Sequence, residues 1–454
     1  MRVAYFTPLH PRPGGISDHS EELLPHLAAF AEIDIVIDGD YTPVNPAIRD
    51  GFRILHYREY LRDPSAYEAA VYQLGNNLRC HGYMVPCLRA APGIVVLQDY
   101  CLQYLVLGLT LRRGEFGALV EALQPVYGER AARLTRRLLL GLEDPGLLTF
   151  AHPLLAASRG VIVHSQHALE LVKREVPGKP VRNVPMGVSM PPRQHSKEEL
   201  RRRYGYRADD FIVASVSTRA PKKRLDLVLA SLGELRGQIP GLLFLVVGGG
   251  SPGASTHRMI QDLGLSDIVE QTGWVDPERY EHLLRLADVA VDLRETTAAE
   301  TANSALRCLA AGTPVIVSAR GTFLELPEDC CPRIVPDDHA AQALRGLLLE
   351  LALHRDRVQA MSVAALDYAR KHLTLDLQAH AFMGFIEAVV KTTAGSGLVS
   401  LLEPRTGLAR PVLAGVYNLC RTASLVRSYG VGDSLKRLCV GLTARLKRAG
   451  FEAL

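Results

Sequence analysis

The sequence has little net charge, no long apolar run and no recognisable leader peptide. A net charge of +4 over 454 residues is too small to indicate a nucleic-acid partner. No run reaches the roughly 18 apolar residues that a transmembrane helix requires. The start, MRVAYFTPLHP, reaches a turn before a signal peptide's apolar segment could form. These absences predict a cytoplasmic protein.

Paired cysteines are also lacking. The chain has eight cysteines, and none stands in a C-x-x-C pair. Several lie within apolar segments, where cysteine acts as a small core residue. This distribution favours reduced cysteines over a disulfide framework or a zinc site.

The chain exceeds the size of a single core, so two domains are expected. Short apolar segments alternate with helical ones, which is typical of an α/β protein with parallel sheets. A helix is predicted over 16–30. The predicted strands are 3–6, 33–37, 52–55, 71–74, 94–97, 161–164, 211–216, 242–247, 268–272, 289–293, 315–317 and 333–335.

A polar, proline-containing stretch interrupts this alternation after residue 184 and predicts a linker. We therefore expect two doubly wound, Rossmann-like domains over 1–190 and 205–370, followed by a helix over 371–392 and a tail over 393–454. In such folds ligands bind beyond the carboxyl ends of strands, and a cleft between two facing sheets is the expected site.

The loop after the first strand, TPLHPRPGG, ends in Gly14 and Gly15 and opens a helix. Free backbone N–H groups at a helix start can bind an anion, and glycines let a ligand approach closely. A simple turn is the alternative.

The loop STRAPKKR follows the first strand of the second domain. Arg219, Lys222, Lys223 and Arg224 repel one another unless an anion neutralises them. Phosphate suits such a cluster, with arginine as a fork and lysine as a point charge. A solvated basic loop is the alternative.

Two further strand ends carry glycine or an aromatic residue. VGGGSPG contains Gly249, which either approaches a ligand or forms a flexible turn. Trp274 is the only tryptophan, and it either contacts a planar ligand or packs in the core.

The loop and helix start around Glu300 complete the candidate set. A carboxylate accepts hydrogen bonds from vicinal hydroxyls, and the N-terminus formed by Thr301, Ala302 and Asn303 can hold a phosphate. One loop could thus grip both ends of a phosphorylated sugar. Helix capping by Thr301 or Asn303 is the alternative.

Taken together, these segments resemble the retaining GT-B glycosyltransferases of family 4. The resemblance rests on the Gly14-Gly15 loop, the Lys223 turn, VVGGG, TGWV and ETANSALRCLAAGTPVIVS, with IVHSQ and VPMGV as further matches. It covers residues 1 to about 390 and is strongest over 205–320.

The resemblance implies transfer of a hexosyl group from a nucleotide-sugar donor, held mainly by the second domain, to a glycan, lipid-linked or small-molecule acceptor on the first. It implies no metal cofactor, because Arg219 and Lys223 would neutralise the leaving phosphates. Glu300 would hold sugar hydroxyls. Gly14 and Gly15 would contact the donor phosphate or the acceptor.

Three features depart from the family pattern. In the family, two glutamates commonly flank this helix, separated by seven residues. In this chain the second of these positions is Arg307, and Glu300 lies one residue after the first. Arg219 lies nearer Lys223 than the family's arginine does. The usual histidine of the first domain is missing, which leaves His81 and Asp99 as acceptor-side candidates. A catalytically weak scaffold that binds nucleotide or glycan is therefore the alternative function.

The tail 393–454 carries nine Lys or Arg and three Asp or Glu. Leu435, Leu438, Leu442 and Leu446 recur at helical spacing between basic residues, as in an amphipathic helix. Such a helix packs on the protein or a second subunit, or it lies on an anionic membrane. Both alternatives stay open at this level.

Overall fold

The computed structural model of the protein describes residues 1–12, 14–39, 41–216, 224–248, 254–294, 303–392, 414–415 and 417–418. The chain divides into two compact units. One comprises Met1–Val184 and the chain from His380, and the other is Pro185–Ala379.

The first unit is built around a parallel sheet. In the described part of the chain its strands are β1 (Arg2–Phe6), β2 (Glu32–Ile37), β3 (Arg53–His56), β4 (Ala69–Leu74), β5 (Ile94–Leu97), β6 (Gly160–Val163) and β7 (Val181–Asn183). They lie in the order β3-β2-β1-β4-β5-β6-β7. The central strands β4 and β5 are buried throughout, which accounts for their near-continuous apolar sequences.

Helices connect these strands. They are α1 (Gly15–Leu27), α2 (Pro46–Gly51), α3 (Tyr57–Tyr60), α4 (Leu78–His81), α5 (Met84–Ala90), α6 (Gln103–Leu109), α7 (Phe116–Tyr127), α8 (Arg130–Leu139), α9 (His152–Ala157) and α10 (Gln166–Glu175). Each long helix buries an apolar stripe, as α1 does with Leu23, Leu24 and Leu27.

The second unit repeats this design around a parallel sheet in the order β10-β9-β8-β11-β12-β13. Its described strands are β8 (Phe211–Ser215), β9 (Leu242–Val247), β10 (Val269–Gly273), β11 (Val289–Asp292), β12 (Val315–Ser318) and β13 (Arg333–Ile334). Its described helices are α11 (Lys197–Tyr204), α12 (Leu225–Leu235), α13 (Ala254–Asp262), α14 (Pro277–Leu286), α15 (Asn303–Ala311), α16 (Ala340–Leu353) and α17 (Arg355–His372).

The last long helix, α18 (Leu375–Thr392), contributes to the core of the first unit. The Phe382 ring lies 6.4 Å from the Tyr5 ring of β1. A Cβ added to Gly160 would lie 3.0 Å from Val389 Cγ2, so glycine in β6 allows α18 to approach the strand closely.

By length and composition alone, the segment Arg355–Thr392 is apolar enough to cross a membrane. It consists of two helices, α17 and α18. In its most apolar window, 44% is buried inside the protein. Partial burial of this kind is typical of helices that pack in a globular core.

The predicted α/β fold class is confirmed. All predicted strands are present with ends within two residues of the observed ones, and the helix predicted over 16–30 is α1. Sequence analysis missed β7, because Val181–Asn183 is short, has no apolar run and exposes its central Arg182. The predicted amphipathic helix of the tail lies outside the described residues.

Candidate functional site

The carboxyl ends of β8 and β11 lie side by side in the second sheet. These strands are far apart in sequence but pair in parallel, with Val213 opposite Val289. Because neighbouring strands are about 5 Å apart, the segments that follow them emerge next to each other. Strand order reverses here, so this edge is the switch point at which open α/β sheets bind ligands.

Five of the predicted donor-site residues lie on the two segments that start here. Arg219 and Lys223 follow β8, whereas Glu300, Thr301 and Ala302 follow β11. All five lie outside the described residues. The strands that precede them, β8 and β11, are nevertheless neighbours in the sheet, which the sequence alone did not indicate. Their joint role stays a prediction.

Asp292, the last residue of β11, anchors the first turn of α15. Its Oδ2 accepts a 2.6 Å hydrogen bond from Ser304 Oγ, and its Oδ1 lies 3.4 Å from Arg294 Nε. The Arg294 backbone N–H donates to Ser318 Oγ at 2.8 Å, at the end of the neighbouring β12. The N-terminus of α15 is therefore held at the switch-point edge, where its dipole favours an anion.

Sequence analysis did not single out these anchoring residues. Asp292 carried a usable signal, because a carboxylate at the end of the buried strand VAVD requires a partner. No sequence feature indicated the anchoring role of Ser304 or Arg294, since that role depends on which strand end lies beside α15.

Asn303 and Arg307 lie one turn apart on α15, and both are half-buried. Among the described residues, Asn303 Oδ1 is buried without a hydrogen-bond partner. The alternative that Asn303 caps α15 is therefore wrong, because a cap would accept from a backbone N–H of the first turn. The donor-binding role of Asn303 stays a prediction.

The ends of β9 and β10 are tied together by Thr272, whose Oγ1 accepts a 3.1 Å hydrogen bond from the Gly248 backbone N–H. Gly249 follows directly and lies outside the described residues. Trp274 comes just after β10, and its side chain is 79% exposed. The interpretation of Trp274 as a packed core residue is therefore wrong, and its indole is open to a planar ligand.

In the first unit, Gly14 and Gly15 lie after β1, whose neighbour across the switch point is β4. A Cβ added to either glycine would meet no described atom within 4 Å. At Gly75, after β4, a Cβ would lie 2.4 Å from Ile16 Cδ1. A side chain at position 75 would therefore displace Ile16, whereas the surroundings of Gly14 and Gly15 are open and leave room for a ligand.

Acidic side chains hold the loop before α1. Glu21 accepts a 2.8 Å hydrogen bond from the His10 backbone N–H and a 3.0 Å bond from Asn45 Nδ2. Asp18, in the first turn of α1, lies 3.0 Å from His10 Nε2. Carboxylates this close to the helix start oppose a phosphate, so the geometry favours a hydroxyl-bearing ligand at Gly14 and Gly15.

Gly15→Ala should leave folding intact, because the added methyl group meets open space and alanine is favourable in a helix. We expect the rate of the glycosyl transfer proposed below to fall by at least about tenfold, because the methyl group keeps the ligand from the backbone. Gly117→Ala in α7, which is equally open, is the matched control. Steady-state kinetics and thermal unfolding measure both effects, and full activity in Gly15→Ala would contradict the assignment.

The acceptor-side candidates differ in their surroundings. His81 ends α4, and its side chain is buried. Burial lowers the pKa of His81 to about 4, so it is neutral and packed against Gly75. Asp99 is half-buried after β5, and its Oδ2 accepts a 3.1 Å hydrogen bond from the Asn76 backbone N–H. Asp99 is thus the candidate that lies at the strand ends with partial exposure.

Behind these residues lies a polar chain that sequence analysis missed. Gln73 Nε2 donates to Tyr5 Oη at 2.5 Å, and Gln98 Nε2 donates to Gln73 Oε1 at 2.8 Å. His164 Nδ1 lies 2.8 Å from the Val184 carbonyl oxygen, which can only accept. The imidazole therefore carries its proton on Nδ1, and its Nε2, 3.3 Å from Gln98 Nε2, accepts.

The stability of the protein should fall on acidification because His164 is buried. Burial lowers the pKa of His164 to about 4, whereas an unfolded histidine has a pKa of about 6.5. Below pH 6.5, His164 binds a proton in the unfolded chain but stays neutral in the native state. The free energy of unfolding therefore decreases as the pH falls to about 4. His164→Gln should remove up to about 3 kcal/mol of this fall.

Urea unfolding at a series of pH values measures this difference. His380→Gln, which replaces an exposed histidine of α18, is the matched control and should keep the wild-type slope. Identical slopes in wild type and His164→Gln would contradict the prediction.

A family comparison matches the second unit. Residues 196–367 match the family model described as Glycosyl transferases group 1. The matched segment contains all the strands of the second sheet, including both strands of its switch point.

Similar proteins were found among curated sequences and solved structures. The GDP-mannose-dependent alpha-(1-6)-phosphatidylinositol monomannoside mannosyltransferase of Mycobacterium tuberculosis is 27% identical over 196 residues, which cover 42% of this chain and 51% of the relative. The chain thus spans about half the length of the curated relatives it matches.

Two solved structures align along most of this chain. Sucrose-phosphate synthase of Thermosynechococcus elongatus has a TM-score of 0.62 at 18% identity, covering 86% of this chain and 100% of its own. HepE of Anabaena, in complex with UDP and glucose, has a TM-score of 0.60 at 14% identity with the same coverage. At these identities the likeness concerns the fold, and it establishes the GT-B class of two Rossmann-like units for this chain.

Proposed function

We propose that the protein is a glycosyltransferase that moves a hexosyl group from a nucleotide-sugar donor to an acceptor and retains the anomeric configuration. One observation carries the proposal. The basic segment after β8 and the acidic segment after β11 start from neighbouring strands at the switch point. This edge lies within the segment that matches the glycosyltransferase family model.

Each end of the donor has a proposed partner. Arg219 and Lys223 neutralise the leaving diphosphate and replace a metal ion, because fixed positive charge lowers the energy of a transition state that develops negative charge. The N-terminus of α15, with Asn303, binds the same phosphates through its N–H groups and dipole. Glu300 accepts hydrogen bonds from the sugar hydroxyls.

The remaining donor and acceptor contacts are assigned by exposure and position. Trp274 offers an exposed ring at the same edge of the sheet. Asp99 and the Gly14-Gly15 turn face the acceptor on the first unit. GDP-mannose is the first donor to test, because the Mycobacterium tuberculosis relative carries that donor in its name, and UDP-glucose follows from the HepE complex.

A donor panel tests the proposal. The full chain is incubated with UDP-, GDP- and ADP-sugars, with and without EDTA, and calorimetry measures binding while donor hydrolysis or transfer measures turnover. NMR coupling constants of the product reveal its anomeric configuration. We expect turnover of one donor class, retention, and no loss in EDTA. Binding without turnover for every donor and acceptor tried would instead favour the scaffold alternative.

The acceptor is proposed to be a glycan or a lipid-linked molecule, so peripheral membrane contact through 393–454 belongs to the proposal, as does its alternative, a subunit contact. Co-sedimentation of the full chain with anionic vesicles, at low and high salt, separates the two. A membrane contact should be lost at high salt, because exposed charges are then screened.

A further inference from the structure

The second unit contains a cavity of about 730 Å³ at the edge of its sheet opposite the switch point. Asp288, which lines it, comes directly before β11, whereas the predicted donor segment comes directly after β11. A strand of this length spans about 13 Å. The cavity is therefore separate from the proposed donor site, and its volume is in the range of small-molecule sites.

One carboxylate at the base of this cavity is paired with three cations. Asp288 Oδ1 lies 2.8 Å from Lys197 Nζ. Its Oδ2 lies 2.8 Å from Arg201 Nη2 and 3.2 Å from Arg355 Nη1. The backbone N–H of Ile212 donates to the same Oδ2. A single negative charge cannot balance three positive ones, so this cluster keeps a positive surplus.

Two further arginines, Arg193 and Arg285, line the same cavity and share one acidic neighbour, Glu281. Arg285 Nη1 lies 3.2 Å from Glu281 Oε1, while Arg193 Nη2 donates to the Ala311 carbonyl oxygen at 2.5 Å. The pKa of Arg193 is lowered, first by burial and then by repulsion from Arg285 and Arg370. Glu281 alone therefore does not neutralise these arginines.

The other acidic side chains of the lining are Glu198, near Lys197 and Arg201, and Asp209, near Arg355. They reduce this surplus but do not cancel it. Asp209 lies 2.6 Å from Arg207, which does not line the cavity. Glu198 is exposed, and hydrogen bonds from the backbone and Ser196 hold its carboxylate at the start of α11. The lining thus holds five cations and three carboxylates, and Glu281, which lies outside the lining, pairs with Arg285. Positive charge still exceeds negative charge.

We propose that this cavity binds the phosphate group of a small phosphorylated molecule. A phosphate supplies two negative charges, whereas a carboxylate supplies one, and it presents oxygens that match the guanidinium fork. Arg193, Arg355 and Lys197 are the residues expected to contact it, because they line the cavity and are more exposed than Arg201 and Arg285.

Isothermal titration of the full chain with inorganic pyrophosphate tests the proposal. We expect Arg193→Ala and Arg355→Ala each to weaken this binding by about tenfold, the loss typical of one charged hydrogen-bonding partner. Arg355→Lys, which keeps the charge beside Asp288, should lose less. Arg236→Ala, which removes an exposed arginine of the same unit paired with Asp267, should bind as wild type does.

Lys223→Ala separates this cavity from the proposed donor site. Pyrophosphate affinity that persists in Lys223→Ala but falls in Arg193→Ala supports the cavity. The proposal is overturned if wild type binds no pyrophosphate, or if Lys223→Ala alone abolishes binding. Vesicles of phosphatidic acid distinguish the source of the phosphate: binding through Arg193 and Arg355 indicates a lipid headgroup, and pyrophosphate binding without vesicle binding indicates a soluble ligand.

Discussion

Lys223→Ala and Glu300→Ala are each expected to lower kcat/KM for glycosyl transfer by about a hundredfold or more. Removing one preorganised group that stabilises transition-state charge typically costs a factor of this size. The Lys223→Ala variant would no longer neutralise the leaving phosphate. The Glu300→Ala variant would lack the hydrogen bonds to the sugar hydroxyls. Both substitutions remove a charged side chain from a segment predicted to be a loop, so unfolding should stay as in wild type.

Two exposed residues of the second unit serve as matched controls. Arg236→Ala removes a cation and Glu234→Ala removes a carboxylate, each from an exposed pair. Both variants should keep wild-type kinetics and stability. Wild-type rates in Lys223→Ala and Glu300→Ala would sink the assignment of the donor site, even if the protein proved to be a glycosyltransferase.

Asp288→Ala is expected to lower the free energy of unfolding by about 3 to 5 kcal/mol, the range for removing one partner of a buried ion pair. The substitution leaves Lys197, Arg201 and Arg355 without their shared carboxylate. Burial opposes ionisation of Asp288, but Lys197 and Arg201 outweigh it and hold the pKa of Asp288 below its ordinary value. Asp288 is therefore charged in the native protein, and the substitution removes this negative charge from between its three cationic partners.

Urea unfolding of Asp267→Ala provides the comparison. Asp267 forms an ion pair of similar length with Arg236, but both side chains are about half exposed, so less than about 1 kcal/mol should be lost. Equal losses in Asp288→Ala and Asp267→Ala would show that burial does not strengthen the Asp288 cluster.

Much of the fold could be predicted because the responsible physics is local. Parallel strands buried on both faces must be apolar throughout, so segments such as 242–247 and 315–317 stood out in the sequence. The three residues of β7 did not, because an edge strand exposes one side and tolerates Arg182. Loops after strands were predicted as ligand sites because open parallel sheets bind ligands beyond the carboxyl ends of their strands, and that assignment stays a prediction.

Side-chain environment was less predictable. The sequence left open whether Trp274 and His81 are buried or face a ligand. In the structure Trp274 is exposed and His81 is buried. Asn303 could have been a cap, yet its amide oxygen is unpaired among the described residues. Each outcome depends on neighbours that come from distant parts of the chain, so local pattern could not decide it.

The sequence by itself determined the doubly wound α/β plan and its strands, and it predicted the loops proposed to bind phosphate and sugar, because apolar periodicity and turn residues act within a few positions. Only the tertiary structure decided that β8 and β11 are neighbours, and that Asp288, Lys197, Arg201 and Arg355 meet on the opposite edge. Strand order and charge clustering arise from long-range packing, which no local spacing encodes.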